Sequence, residues 1–523
     1  MFLSDDIIDP FWGVPSGKLG GRDPLGIQNS SVVVYSSLVP GLTNLTKRIR
    51  YNGFYCWLLR CIAKHLTKID PASVDSKTEQ RRYIRRAELL LAYVMVGNEV
   101  FGDPNGVSGS QYARKHIDDS DCIDLVVGAD AENGLENTFW KNGMGVFGQY
   151  YLGALLQLGL VCAPGSDRKT YRCTKEGERL ADAFEANVFG QSEHFWKCIY
   201  GNNPISKAAL HDFVCFSLTS IPEGDELSFY RELIYGNDGI AASVTFNRSM
   251  TIKGLLSYIE SNPTSRSNCS DDFLRNLFES VVVNGFSSSS DIDKSWFVYE
   301  LNELVHSSYE AFHFGILNSL AKGTSDPVPL SDVIEQLLDG VDDMCEAKRV
   351  HFMDDFGVEG NAHSMYRRML SFMRRSRTVE GIFESIRLLH FLHKRIGTQA
   401  KEIKTFAIEK HLYRHGMASS LLTRFFDGRN NLSIREFTEG MLYEAINAHM
   451  RSSYEKSSVT QGLVHNYMIE EGAIWRLRET NAIRTSPRLD SLLMYMEDIR
   501  WIGLDGDKYI VESSGKILMD NER

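Results

Sequence analysis

Four basic residues lie close together at the end of the first third of the chain and could bind phosphate. They are Arg168, Lys169, Arg172 and Lys175. Guanidinium and ammonium groups neutralise the phosphate backbone of a nucleic acid, and such contacts position a protein without reading base sequence. These residues are therefore the first predicted nucleic-acid-binding residues.

A second basic group falls within one predicted helix. Its members are Arg81, Arg82, Arg85 and Arg86. Residues four apart share a helix face, so these side chains could extend a phosphate-binding surface, with nearby tyrosines packing or stacking. The alternative is a solvated helix face whose charges are answered by carboxylates such as Glu79 and Glu88. The sequence leaves both alternatives open.

Two arginine and histidine pairs suggest a metal-independent ribonuclease of the helical HEPN type, as an alternative. Arg60 precedes His65, and Arg387 precedes His393, each pair within one predicted helix. An arginine and a histidine on one helix could act on the scissile phosphate and the 2′-hydroxyl. A chain with 14 histidines and many arginines produces such spacings by chance, so the favoured prediction assigns no catalytic residue.

No cofactor or metal is predicted. The sequence contains no P-loop, no HExxH and no GxSxG motif. Residues 143–148 match GxGxxG, but a polar and aromatic mixture precedes them where a dinucleotide site requires a buried strand. The nine cysteines include no CxxC pair, which argues against a zinc site and a disulfide framework and favours a reducing cytoplasm.

The elements that must position the first basic group follow the order of a winged helix. Phe147, Tyr151, Leu155 and Leu158 recur at helical spacing. A short strand follows from Gly159, then a polar turn, a second strand around Arg172, and a helix capped by Thr174. In this arrangement the helix that precedes the hairpin could enter a major groove, with Gln149 and Gln157 facing adenine, while the basic wing contacts phosphate.

The C-terminus repeats this order. An apolar stripe from Leu489 to Ile499 predicts a helix, and a tight hairpin follows through Gly506. The acidic residues around this second module, among them Asp505 and Asp507, would repel phosphate.

Bulk composition predicts a folded chain without a membrane segment. The chain has 523 residues, of which 43% are hydrophobic and 24% charged, with a net charge of −11. Its longest apolar runs are far shorter than the ~20 residues that a membrane span needs. The negative charge means that any nucleic-acid contact must come from local patches.

The predicted fold class is mainly α, a multidomain helical protein with a winged-helix module and a C-terminal winged-helix-like segment. Five segments are predicted: an N-terminal arm and helical domain (1–136), the winged helix (137–190), a helical middle region (191–288), a helical array (289–474) and the winged-helix-like segment (475–523). Within the first, Val32–Tyr35 is predicted as a strand and a helix is predicted from Thr43.

Residues 40–57, which read PGLTNLTKRIRYNGFYCW, resemble the opening helix of uncharacterised bacterial proteins encoded near phage-defence genes and mobile elements. The resemblance extends over about the first hundred residues. It implies a bacterial cytosolic setting and a protein partner, and it supplies no catalytic residue.

Together these features favour a nucleic-acid-binding or partner-binding subunit of a bacterial defence or DNA-transaction complex. The two alternatives are the ribonuclease and a purely structural interaction subunit. The identity of the partner and the oligomeric state do not follow from the sequence.

Overall fold

The structure, a computed structural model, describes most of the chain. The described residues are 23–68, 72–98, 106–130, 134–236, 242–321, 326–345, 360–413, 432–460, 464–478 and 484–520. The first 22 residues of the predicted N-terminal arm lie outside them.

The described residues are mainly helical, as predicted. The helices in chain order are α1 (Gln28–Leu38), α2 (Tyr51–His65), α3 (Val74–Gly97), α4 (Ser110–His116), α5 (Leu125–Ala129), α6 (Leu152–Gln157, continuing a π-helical turn at Phe147–Tyr151), α7 (Lys175–Tyr200), α8 (Asp225–Tyr235), α9 (Ala242–Ser261), α10 (Cys269–Asn284), α11 (Asp291–Ala321), α12 (Leu330–Met344), α13 (Ala362–Arg374), α14 (Thr378–Ile396), α15 (Ala400–Glu409), α16 (Ile434–Thr460), α17 (Leu489–Asp498) and α18 (Ser513–Asp520). Three 3₁₀ helices occupy Leu66–Lys68, Lys207–Phe216 and Gly397–Gln399. Within the described residues, no helix combines the length and apolar character needed to cross a bilayer.

The strands are short and antiparallel. They are β1 (Cys122–Ile123), β2 (Val161–Cys162), β3 (Arg172–Cys173), β4 (Ile205–Ser206), β5 (Val328–Pro329), β6 (Tyr467–Glu470), β7 (Ala473–Arg476), β8 (Ile502–Asp505) and β9 (Lys508–Val511). In the described part of the chain β1 pairs with β4, β2 with β3 and β8 with β9, and β7 lies between β5 and β6.

The chain forms two compact units, each discontinuous in sequence. Unit A comprises Ser36–Phe273 and Ser486–Arg523, and unit B comprises Met1–Tyr35 and Leu274–Thr485. Both terminal regions join a unit whose remaining residues are distant in sequence.

Two expectations for the N-terminal region are wrong. Val32–Tyr35 lie inside helix α1, although β-branched residues favour strands. The helix predicted from Thr43 begins only at Tyr51, because residues 43–50 form turns that carry Arg48 and Arg50 into the interior.

The core of unit A is built on α2, whose side chains are buried along most of its length. Helix α7 packs along α2, and α3 packs against α4, α5 and the 3₁₀ helix at Lys207–Phe216. Aromatic rings fill the space between α2 and α7, where Trp57 lies 6.1 Å from Phe184 and 5.9 Å from Phe195 between ring centroids. Such rings bury large apolar areas, so this cluster holds α7 in a fixed position.

Unit A contains the same helix, hairpin and helix arrangement twice. In the first copy α6 leads through β2 and β3 into α7, and in the second α17 leads through β8 and β9 into α18. The predicted order of elements is thus confirmed at both places, although a helix and a hairpin do not by themselves establish a winged-helix fold.

The two copies agree in their backbone contacts. Gly159 and Arg500 both have positive φ, at 69° and 61°, and end the first helix. Leu160 and Trp501 then each accept a backbone hydrogen bond of 3.0 Å, from Thr174 and from Glu512, which closes the base of the hairpin.

Unit B surrounds helix α11, which is buried along most of its length. Helices α12, α13, α14 and α16 all pack against it, and α13 packs along α14. The mainly helical character predicted for residues 289–474 is confirmed in the described residues, where helices such as α12 (Leu330–Met344) carry apolar residues at helical spacing.

Candidate functional site

The hairpin of residues 161–173 is held at its base, and this hairpin together with Thr174 and Lys175 is called the wing below. Gln80 on α3 acts as a strand partner, because its amide oxygen accepts the Tyr171 N–H and its amide nitrogen donates to the Tyr171 carbonyl, both at 2.9 Å. The Cys173 thiol donates to the carbonyl oxygen of Cys56 on α2 at 3.2 Å. Helix α7 begins at Thr174 as predicted, with its hydroxyl accepting the Gly177 N–H.

The four predicted wing cations divide into two roles. Arg168 folds back onto its own hairpin, donating to the Thr170 carbonyl at 3.3 Å and the Ala163 carbonyl at 3.2 Å. Lys169 and Lys175 are exposed and Arg172 is half-buried. Among the described residues, no carboxylate forms an ion pair with these last three side chains, and two of them, Lys169 and Lys175, are exposed to solvent.

The π-helical turn and helix α6, which precede the wing in sequence, are less suited to reading bases. Gln149 accepts a 2.8 Å hydrogen bond from the Trp140 indole, and Gln157 accepts one of 3.0 Å from the backbone N–H of Gly41. Both glutamine side chains predicted to face adenine are therefore engaged within the protein.

A carboxylate occupies the N-terminus of the same helix. Glu88 accepts hydrogen bonds from the backbone N–H groups of Val146 and Phe147 at 2.9 and 2.7 Å, and from the Tyr55 hydroxyl at 2.9 Å. Burial raises the pKa of Glu88 to about 7, against the lowering effect of these hydrogen bonds. The glycine-rich residues 143–148 thus meet a protein carboxylate at the place where a dinucleotide phosphate would lie.

The arginines on α3 do not form a phosphate-binding surface. Arg85 and Arg86 are each 1% exposed. Arg85 donates to the carbonyls of Ala129, Asn142 and Trp140 and to Thr138, and Arg86 forms a two-pronged ion pair with Asp130 while donating to the Ile199 and Gly201 carbonyls. The prediction that these two contact nucleic acid is wrong, because their donors already connect loops of the protein.

The other two arginines of the group are half-buried. Arg81 donates to the Gly143 carbonyl at 3.2 Å, and Arg82 pairs with Glu79. The alternative in which carboxylates answer these charges therefore fits Arg82 and Arg86.

The ribonuclease pairs are also engaged in structural contacts. Arg60 pairs with Asp182 and approaches Glu185 at 3.7 Å, both on α7. His65 stacks on Tyr200 with ring centroids 4.9 Å apart. Arg387 pairs with Glu384 at 2.9 Å, and His393 lies in the last turn of α14 beneath Gly397.

The second hairpin is covered on one strand by its own unit. Tyr509 donates its backbone N–H to the Thr264 carbonyl at 3.1 Å, and the Asp507 carbonyl accepts the Arg266 N–H at 2.8 Å. Residues 264–266 therefore cover the outer edge of β9, and the turn of this hairpin carries Asp505 and Asp507 rather than basic residues.

Unit B contains a buried polar row that the sequence analysis did not identify. Five titratable side chains lie on α11 at spacings of three or four residues, which places them along one side of the helix. They are Glu300, Glu303, His306, Glu310 and His313, each at most 2% exposed.

At one end of this row the charges are paired. Glu300 accepts from Arg484 and lies 3.0 Å from His363 Nε2 on α13, and these partners lower its pKa although burial raises it. At the other end His313 Nδ1 lies 3.3 Å from the Tyr467 hydroxyl, and burial lowers the pKa of His313. The regular spacing is the sequence signal that could have revealed the row.

At the centre of the row, some polar atoms have no hydrogen-bond partner among the described residues. His306 Nε2 lies 3.1 Å from Glu310 Oε1 and Nδ1 lies 4.0 Å from Glu303 Oε1, yet neither nitrogen has hydrogen-bond geometry to a partner in the described residues. Burial lowers the pKa of His306, but Glu310 and Glu303 outweigh it and raise the value to about 9.

Comparison with known proteins assigns no family. No protein-family model, curated protein or solved structure matches the chain.

Proposed function

We propose that the chain is a nucleic-acid-binding subunit that contacts the phosphate backbone through the wing, independently of base sequence. Lys169, Arg172 and Lys175 make the contacts, and Arg168 holds the hairpin closed. The observation that carries the proposal is that these three charges have no carboxylate partner among the described residues, while the base of the wing is fixed by Gln80 and Cys173.

Base reading is not part of the proposal. Gln149 and Gln157, which precede the wing, are hydrogen-bonded to Trp140 and Gly41 instead. Arg85 and Arg86 of α3 are buried. Phosphate contacts alone position a protein without specifying a sequence. A bacterial defence or DNA-transaction complex, with a partner protein that supplies specificity, is the setting we propose from the resemblance of residues 40–57.

The net charge of −11 limits this binding to a local patch. Three phosphate contacts correspond to a slope of about −2.7 in a plot of log K against log salt concentration. Between 50 and 200 mM salt the affinity should then fall roughly 40-fold.

The test is fluorescence anisotropy with labelled duplex DNA, single-stranded DNA and RNA at several salt concentrations. The variant Lys169→Ala/Arg172→Ala/Lys175→Ala should lose most of the affinity and most of the salt slope. A matched control, Lys64→Ala/Lys115→Ala/Lys141→Ala, removes the same charge from exposed sites outside the wing and should retain the slope.

Equal losses of nucleic-acid affinity and salt slope in the two triple variants would show that the wing is not the binding surface. If the unaltered chain binds none of the three nucleic acids even at 50 mM salt, the proposal is wrong and a structural interaction subunit takes its place. Cleavage of RNA that disappears in His65→Ala or His393→Ala would instead establish the ribonuclease.

A further inference from the structure

The middle of the α11 row meets a third carboxylate from outside the helix. Asp23, just before α1, lies with His306 and Glu310 so that one donor atom from each falls within 4.8 Å of the other two. All three residues are buried, at 5% exposure or less. All three belong to unit B.

We propose that Asp23, His306 and Glu310 form a binding site for a divalent first-row metal ion of the Mn²⁺ or Fe²⁺ type. One imidazole and two carboxylates, with no thiolate, are ligands that such ions accept. The proposal is independent of the wing, which lies in the other unit.

The spacing of two of the donor atoms already fits a metal ion, and the Asp23 donor lies within 4.8 Å of both. Ligand atoms that share an ion at about 2.1 Å lie roughly 3.0–3.4 Å apart, and His306 Nε2 is already 3.1 Å from Glu310 Oε1. The two atoms are close, yet neither ring nitrogen of His306 makes a geometrically formed hydrogen bond to the described residues. A metal ion between them would satisfy both.

Two of the three ligands, Asp23 and His306, have supporting groups behind them. The Asp23 carboxylate accepts backbone N–H groups from Gly26 and Gln28, both at 2.8 Å. Glu303 faces His306 Nδ1 at 4.0 Å through an oxygen that has no hydrogen-bond partner, while its other oxygen accepts the Thr485 N–H at 2.9 Å. A carboxylate behind the second nitrogen is the usual support of a metal-binding histidine.

The charges also favour a cation. Asp23, Glu303 and Glu310 bring three carboxylates to this place, where Lys456, Arg484 and His306 are basic groups that act on them. The Lys456 ammonium donates to the backbone carbonyl of Asp23. A histidine ligand is neutral when it binds a metal, and the three carboxylates then outnumber Lys456 and Arg484.

Burial of the ligands indicates a structural ion that attaches the segment preceding α1 to α11. The ion would enter during folding or when this segment opens. In that position it would stabilise unit B without contacting a substrate.

The experiment uses the full chain and Mn²⁺, because the nine free cysteines would bind Zn²⁺ elsewhere. Metal content is measured on the purified protein, the metal is removed with EDTA in mild denaturant, and Mn²⁺ is returned after refolding. Electron paramagnetic resonance then measures bound Mn²⁺, and calorimetry measures the melting temperature. We expect one Mn²⁺ per chain and a higher melting temperature with the metal.

The variants His306→Gln, Glu310→Gln and Asp23→Asn should each weaken Mn²⁺ binding by at least about 10- to 100-fold, the loss typical even of residues that only support a ligand. The matched control is His363→Gln. This variant removes a buried histidine of α13 that is paired with Glu300 of α11, away from the proposed site, and it should still bind one Mn²⁺ per chain.

Asp23→Asn keeps α11 intact, so it remains informative if the helix variants fail to fold. Absence of bound metal in both the purified and the reconstituted chain would overturn the proposal. So would Mn²⁺ binding that survives in Asp23→Asn and His306→Gln with unchanged affinity.

Discussion

Helix α7 offers a sharp test of the wing, because two of its glycines lie in opposite surroundings. Gly177 lies at the N-terminus of α7, where an added Cβ would come within 3.0 Å of the Leu160 carbonyl oxygen. That oxygen also accepts the Thr174 N–H at 3.0 Å, the hydrogen bond that closes the base of the wing. An added Cβ at Gly190, in the exposed middle of the same helix, would meet no atom within 4 Å.

The substitution Gly177→Ala should therefore destabilise unit A, and Gly190→Ala should stabilise it. Forcing a methyl group against backbone costs about 1–3 kcal/mol, and weakening the hydrogen bond costs about 1 kcal/mol more. The better helix propensity of alanine raises the free energy of unfolding by about 0.5–1 kcal/mol, and at Gly190 this is the whole expected effect.

The assay is the melting temperature of the full-length variants by calorimetry. For a unit of this size 1 kcal/mol corresponds to about 2–4 °C, so Gly177→Ala should melt roughly 2–14 °C lower and Gly190→Ala about 1–4 °C higher. Gly515→Ala, which places a Cβ against the Trp501 carbonyl in the second copy, should resemble Gly177→Ala. A Gly177→Ala protein as stable as Gly190→Ala would refute the described contact between the wing and α7.

Two further predictions concern buried charges in unit A. Since burial raises the pKa of Glu88 from 4.5 to about 7, the stability that Glu88 contributes is fully present below pH 4.5 and is lost as the pH rises through 7. The difference of about 2.5 between these pKa values corresponds to on the order of 3 kcal/mol. Urea unfolding from pH 4 to 8 should show that wild type loses this stability relative to Glu88→Gln, and a difference that does not change with pH would contradict the prediction. Arg86→Lys keeps the charge but loses the two-pronged pair with Asp130 and the donation to carbonyls, so the urea midpoint should reflect a loss of about 1–3 kcal/mol. Nucleic-acid affinity per folded molecule should stay unchanged in Arg86→Lys, and a selective loss of affinity would return Arg86 to the binding surface.

The sequence predicted the helices of unit B and the order of elements around both hairpins. In α12, for example, apolar residues recur at the helical period and the polar face is continuous, so the pattern alone specifies the element. The wing was predictable for a similar reason, since Gly159 and Thr174 mark its boundaries.

The positions of the arginines on α3 could not be predicted in this way. Arg85 and Arg86 are buried by backbone carbonyls and Asp130, which come from loops that are 44 to 115 residues distant in sequence. Backbone carbonyls have no signature in a sequence, so charged residues that bind them look like residues on a solvated face. The strand predicted at Val32–Tyr35 was wrong for a related reason, because tertiary packing overrides the β propensity of single residues.

The polar row on α11 carried a signal that was missed. Its members recur at spacings of three or four residues in a helix that is buried on all sides, so polar and apolar residues do not segregate into two faces that would expose the row. Asp23 adds to the row from a distant part of the sequence, and that proximity exists only in the folded unit.

The two hairpins of unit A share their anchoring contacts but differ in their tips. Gly506 and Asp507 alone connect β8 to β9, whereas residues 163–171 connect β2 to β3. The backbone contacts that the two copies share lie at the base of each hairpin. The tip can therefore be replaced without loss of these contacts. A loop of different length or charge, a fluorescent tag or an affinity peptide could be grafted at residues 164–167 while the supporting helices keep their places.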